Sequence, residues 1–275
     1  MPNPHHGNHQ PAFFARLEKA YAGNIDNKNE RRSVMEVGFL GAGNVTRTIG
    51  RHLINAGHTV VASNSRGPET LGEFVAELGP GARAGTKQQS AECDMVILAT
   101  HWVNVPEALA GIDWQGRILV DATNAHMDSK PDLSLAGVTR SRAALKGRTS
   151  SEIVAEMAIG ARLVKSISNM PMSWIQDFSP NKPRTVLFTS GDETEAKQRV
   201  IELINSTGLV AIDLGSLRMG GVMHEIGAPL SGIEFHFVQR LRRRRESRKS
   251  MRTKTSGSVP ISDSDEPNYF KTGTS

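Results

Sequence analysis

The stretch that most limits what this chain can become is Val37-Gly38-Phe39-Leu40-Gly41-Ala42-Gly43-Asn44-Val45-Thr46, an apolar strand that enters a glycine turn and leaves it as a helix. Gly41 permits a tight bend. Gly43 lets a bound group approach the backbone, and a helix opening near Asn44 aims unpaired N–H groups and the positive end of its dipole at whatever lies over the turn. The helical pattern covers residues 44–56 and stops at Gly57, after which Thr59–Ser63 reads as a second strand. Strand, turn, helix and strand thus fall within about thirty residues, the spacing of a dinucleotide-binding unit. One position departs. The third glycine of the usual pattern is Thr46, a bulkier residue where helix and strand should pack closely, so a slightly displaced helix is expected.

Beyond this unit, short apolar runs alternate with helical periodicity, the signature of a parallel sheet buried on both faces. Strands are expected over 34–40, 59–63, 82–86, 95–99 and 118–121, with helices in the gaps; one over 68–78 ends before Gly79-Pro80. Residues 125–148 read as irregular. Thr149-Ser150-Ser151-Glu152 has the form of a capping box opening a helix over 152–158. Strands over 162–167, 185–190 and 210–213 follow, with a helix over 193–207 and a last helix over 222–242. The fold class is α/β, a Rossmann-type doubly wound parallel sheet with a small C-terminal α/β domain. The expected division is a disordered leader (1–33), a nucleotide-binding domain (34–165), a small substrate or dimerisation domain (166–242) and a basic, then Ser/Asp-rich, disordered tail (243–275).

The formal charge of +5 is concentrated in one place. Residues 239–254 hold nine basic side chains against Glu246, and the rest of the chain is close to neutral. A charge run without a recognised binding module argues against nucleic acid as the partner. Cys93 is the single cysteine, which excludes an intrachain disulfide and a multi-thiolate metal site and points to a reducing compartment. No apolar run reaches membrane-spanning length and no secretory h-region follows the first charges. A cytoplasmic protein is expected.

The end of the second strand usually decides between the nicotinamide cofactors, because an acid there binds the ribose 2′-hydroxyl and repels a 2′-phosphate. This chain reads Ser63-Asn64-Ser65-Arg66-Gly67-Pro68 instead, with hydroxyl and amide donors and a guanidinium suited to phosphate. That favours NADP(H). Two further strand ends face the same crevice, Ala99-Thr100-His101-Trp102 and Asp121-Ala122-Thr123-Asn124. Trp102 and His101 could flank the nicotinamide and Asn124 could bond a polar cofactor group; core packing for Trp102 and a turn role for Asn124 are the plainer readings. No residue is assigned acid/base work and no metal ligand set is seen.

Taken together, GAGN, NSRGPETL, ATHW, DATN, SSEIVAEM with GARLVKS, and DLGSLRMGG make the chain resemble the NADP oxidoreductases dependent on coenzyme F-420, a deazaflavin hydride carrier, over about residues 35–241. The resemblance implies NADP(H) as cofactor, a small-molecule hydride acceptor or donor, and a homodimer. By position it places Ala42, Gly43, Asn44 and Val45 at the pyrophosphate, beside the cofactor-binding turn already read at Gly41, with Ser65 and Arg66 at the 2′-phosphate and Thr100, His101, Trp102 and Asn124 at the nicotinamide. The family commonly has proline at His101 and His or Asn at Ser168, so Lys165, Ser168, Asn169 and Met170 are weaker candidates for the second substrate, and a flavin is an alternative to coenzyme F-420. An imine or keto reductase is a second enzymatic reading, and a non-enzymatic NADP(H)-binding redox sensor using the basic segment is a third.

Overall fold

The structure is a computed structural model that describes residues 34–127, 132–176 and 182–238; the leader and the basic tail lie outside the described residues. Nine strands form one mixed sheet in the order β3-β2-β1-β4-β5-β6-β7-β8, with β9 pairing β7. They are β1 (Glu36–Leu40), β2 (Thr59–Ser63), β3 (Ala82–Ala84), β4 (Met95–Leu98), β5 (Ile118–Asp121), β6 (Arg162–Ser166), β7 (Arg184–Gly191), β8 (Val210–Asp213) and β9 (His236–Phe237). The pairs from β3 through β6 are parallel, β6 and β7 are antiparallel, and β7 and β8 are parallel again.

Alternation along the strands produces two cores, one on each face. Val37 and Phe39 of β1, Met95 and Ile97 of β4 and Leu187 of β7 face Ile49 and Leu53 of α1 (Asn44–Asn55) and Val200, Leu203 and Ile204 of α7 (Thr194–Ser206). Leu40, Val96, Leu98 and Leu119 face the other way, against Leu109 of α4 (Val105–Leu109), Trp114, Val154 of α6 (Ser150–Met157) and Leu217 of α8 (Leu217–His224). Two short helices, α2 (Gly72–Leu78) and α3 (Lys87–Ala91), complete the nucleotide half. A Cβ on Gly38 would stand 1.9 Å from the Ser90 carbonyl oxygen, so this glycine is what lets α3 lie directly on β1.

The second half departs from expectation in three ways. The boundary expected after residue 165 falls inside β6, and the strands after it continue the same sheet. The region read as irregular holds α5 (Leu135–Ala144), capped by Ser134 Oγ, which accepts from the Gly137 N–H at 3.2 Å. Its buried positions are Gly137 and Ser141, so no apolar stripe announces it. The helix expected over 222–242 ends at His224: Glu225 is extended, Gly227 has φ 72°, and β9 follows. Gly227 and Pro229 interrupt any helix there.

Candidate functional site

The chain leaves β1 toward β2 and β3 on one side and returns through β4 and β5 on the other, which opens a crevice at the carboxyl ends of β1 and β4. Gly41 turns the backbone there at φ 125°, donates its N–H to the Ser63 carbonyl at 3.0 Å and leaves no room for a side chain, since a Cβ would lie 2.2 Å from the Ala99 carbonyl oxygen. Gly43 is the opposite case: a Cβ on it would meet no atom within 4 Å. Gly43 is also the N-cap of α1, with no side chain capping it and no acid in the first turn. The first N–H groups of the helix therefore present themselves to the crevice, a cradle whose donors fit a pyrophosphate. Ala42 and Val45 are half-buried beneath the turn and Asn44 is exposed at its rim.

Thr46 proves to be part of the turn. Its side chain is fully buried and its Oγ1 donates to the Gly41 carbonyl at 2.6 Å. The hydroxyl thereby ties the helix back to the bend that glycine spacing alone would leave unbonded.

At the end of β2, Ser63 Oγ donates to the Phe39 carbonyl at 2.8 Å, which fixes the strand end to β1. Ser65 and Arg66 follow, both exposed. The Arg66 side chain has no carboxylate partner among the described residues, in contrast to Arg47, which pairs with Glu77 at 2.9 Å and stacks 5.0 Å from the Phe74 ring centroid. A guanidinium with no carboxylate partner among the described residues suits a phosphomonoester.

On the far side of the crevice, His101 is exposed and caps the short 3-10 turn Trp102–Asn104, while Thr100 is half-buried and Trp102 packs half-buried against the core of that face. Asn124 is bonded through its side chain to two distant segments of the chain. Its Nδ2 donates to the Ser168 carbonyl at 2.9 Å and its Oδ1 accepts from the Ile226 N–H at 2.9 Å, so it clasps together the segments after β5, β6 and α8.

Beneath Asn124 lies a buried polar network that periodicity could not reveal. Asp121 Oδ1 accepts from the Thr123 N–H at 2.9 Å and from Thr123 Oγ1 at 2.7 Å, and its Oδ2 accepts from Ser151 Oγ. Lys165 Nζ stands 3.6 Å from Asp121 Oδ2 and donates to the Thr123 carbonyl at 3.1 Å and to Ser150 Oγ at 3.2 Å. Glu225 Oε2 accepts from the Ser150 N–H at 3.0 Å and from its Oγ at 3.2 Å. His224, fully buried, lies 2.9 Å from Ser190 Oγ, and burial, aided by the positive charge of Lys165, pushes its pKa down to about 3. The capping box expected at Thr149 is present and starts the helix that supplies Ser150 and Ser151.

The side chain of Lys165, a candidate for the second substrate, is fully buried and bonded within this network. Ser168, Asn169 and Met170 are buried as well. They follow Ile167, a β-branched residue held at φ 61°, a costly conformation that surrounding structure must impose. Ser168 Oγ and Asn169 Nδ2 have no hydrogen-bond partner among the described residues. In sequence, only the adjacency of Ser150, Ser151 and the capping box hinted at the network; nothing marked Glu225.

The fold is a Rossmann-type sheet with an open helix N-terminus at the crevice where its strand order reverses. Residues 36–125 match the family described as NADP oxidoreductase coenzyme F420-dependent. The crystal structure of a hypothetical protein SMa0349 from Sinorhizobium meliloti is similar at 29% identity and a TM-score of 0.65, covering 75% of this chain and 97% of that one. A structure from Arthrobacter sp. FB24 named for an F420-dependent NADP-reductase is 25% identical with a TM-score of 0.51, covering 66% of this chain and 86% of that one. Among curated proteins, Metalloreductase STEAP3 of Rattus norvegicus is 24% identical over 184 residues, 66% of this chain and 34% of the relative. The chain thus spans about a third of that relative's length. No helix among the described residues is long and apolar enough to cross a membrane.

Proposed function

We propose that this protein transfers hydride between NADP(H) and a deazaflavin of the coenzyme F-420 type or a flavin-like acceptor. The observation that carries the reading is an open, uncapped helix N-terminus at Gly43 after β1 together with an exposed Arg66 after the neighbouring β2, whose guanidinium has no carboxylate partner among the described residues. The residues present fit the dinucleotide. The N–H groups around Ala42, Gly43, Asn44 and Val45 hold the pyrophosphate, Ser65 and Arg66 take the 2′-phosphate, and Thr100, His101 and Trp102 bound the nicotinamide side, whose dihydro form supplies the hydride. Asn124 acts through position, holding the segments after β6 and α8 around that end of the crevice. Such chemistry asks the protein to align two rings and exclude water, with no protein nucleophile. A homodimer in the cytoplasm belongs to the same reading.

The test mixes purified protein and NADPH with coenzyme F-420, FMN, FAD and a pyrroline-type imine in turn and follows nicotinamide absorbance. Oxidation with the deazaflavin or a flavin supports the proposal. Oxidation with the imine alone moves the assignment to imine reduction, and no turnover with any of them, despite NADPH binding, moves it to a redox sensor.

A further inference from the structure

The loop that presents Ser65 and Arg66 is closed by a ring of hydrogen bonds that uses neither of their side chains. Asn64 Oδ1 accepts from the Arg66 N–H at 3.0 Å, and Asn64 Nδ2 donates to Thr70 Oγ1 at 2.9 Å. Thr70 Oγ1 donates in turn to the Gly67 carbonyl at 2.8 Å, which also accepts the Thr70 N–H at 3.2 Å. Gly67 reverses the chain at φ 101°, a conformation open to glycine and strained for other residues, and Pro68 fixes the backbone at the next position. Both ends of the segment that carries Ser65 and Arg66 are therefore held, one by its own Asn64 amide and the other by a hydroxyl one turn further on.

We propose that Asn64 and Thr70 are positioning residues that set the preference for NADP(H) over NAD(H) without touching the cofactor. Gripping a phosphate with a flexible loop costs the ordering of that loop, and a loop already ordered does not incur that cost on binding. The benefit is confined to a ligand that engages Ser65 and Arg66. NADPH carries the 2′-phosphate they would grip and NADH does not, so the ring strengthens one and leaves the other unaffected. The inference rests on the crevice being an NADP(H) site.

The experiment measures dissociation constants of NADPH and NADH by calorimetry on the full chain and on Asn64→Ala, Thr70→Val, Thr70→Ser and Arg66→Ala. Thr70 is exposed, so valine leaves the core untouched. Thr70→Val and Asn64→Ala should each weaken NADPH by about fivefold, the worth of one ordinary hydrogen bond, with NADH binding and melting temperature unchanged. Thr70→Ser, which keeps the hydroxyl, should restore NADPH affinity. Equal weakening of both cofactors, no loss for NADPH, or a serine variant as weak as valine would overturn the proposal. Arg66→Ala separates this from the underlying reading. If it weakens both cofactors equally, the NADP(H) assignment itself fails; if it is selective for NADPH while the ring variants are silent, only the positioning role fails.

Discussion

At the carboxyl ends of β1 and β2 the polar groups point outward: the first N–H groups of α1 are uncapped and Arg66 has no ion-pair partner among the described residues. At the carboxyl ends of β5 and β6 the polar groups point at one another, with Asp121, Lys165, Ser150, Ser151 and Glu225 joined in one buried network. The polar groups of the first edge are left open, whereas the charged groups of the second are bonded within the chain, with Ser168 Oγ and Asn169 Nδ2 beside them left without a partner among the described residues. That difference explains why the nucleotide side is readable as a binding site while the opposite side presents closed structure around Asn124. It also predicts that substitutions on the two edges fail differently, on binding at one and on stability at the other.

The largest effect should come from the closed edge. Lys165→Met removes the cation from between Asp121 and Ser150 and leaves the carboxylate of Asp121 buried without its counter-charge. Breaking a buried pair from one side costs about 3–5 kcal/mol. The urea unfolding midpoint should fall accordingly, and a loss below about 1 kcal/mol would mean that the hydrogen bonds from Thr123 and Ser151 satisfy Asp121 by themselves.

Acid should act on the same edge. The folded-state pKa of His224 is about 3, below the ordinary value of 6.5, so between those values the unfolded chain binds a proton that the folded chain refuses. The stabilising contribution is therefore complete above pH 6.5 and is lost as pH falls toward 3, at no more than about 1.4 kcal/mol per pH unit. His52, buried with its Nε2 2.7 Å from the Ile175 carbonyl oxygen and its pKa lowered by burial, adds a loss of the same sign. His224→Gln should flatten the dependence of unfolding free energy on pH between 6 and 4; an unchanged slope would remove His224 as its source.

How far the sequence could be read follows the same division. The turn at Gly41–Asn44, the strands β1 to β5 and the capping box at Thr149 are written in local signals: apolar runs, glycines at fixed spacing, and a Thr-x-x-Glu pattern. Apart from the local bonds from Thr123, the network at Asp121 joins residues separated by 15 to 75 positions in sequence, and no local pattern reports such meetings. α5 has no apolar stripe because its buried side is Gly137 and Ser141, and the helix expected over 222–242 meets Gly227 and Pro229, where the chain turns. Lys165, a candidate through its place near the crevice, is buried in an ion pair with Asp121 that lies 44 positions away in sequence and that no local pattern announces.

On the open edge, Arg66→Ala should leave stability unchanged and weaken NADPH alone. Hydrogen bonds to a charged group contribute about 1.5–3 kcal/mol, which corresponds to a loss of roughly 10- to 100-fold in affinity. Calorimetric titration with NADPH and NADH reads the split. A loss of thermal stability in this variant would show that Arg66 is bonded within the chain and would erase the contrast between the two edges.

Thr46 lies on the open edge but behaves like the closed one, which makes it the finest probe of the comparison. Glycine at this position would serve close helix packing; threonine is fully buried instead and returns a hydrogen bond to the Gly41 carbonyl. If that bond is what holds α1 to the bend, Thr46→Val should cost about 1 kcal/mol of stability and a few-fold in NADPH affinity, because the N–H cradle would loosen. Thr46→Ser should retain both properties more fully. Thr46→Gly should be no better than valine, since it leaves the carbonyl unbonded and adds a glycine to the first turn of a helix, at about 0.5–1 kcal/mol. A glycine variant that is more stable and binds NADPH more tightly would instead mark Thr46 as a steric compromise of the turn, with its hydroxyl bond only a partial compensation.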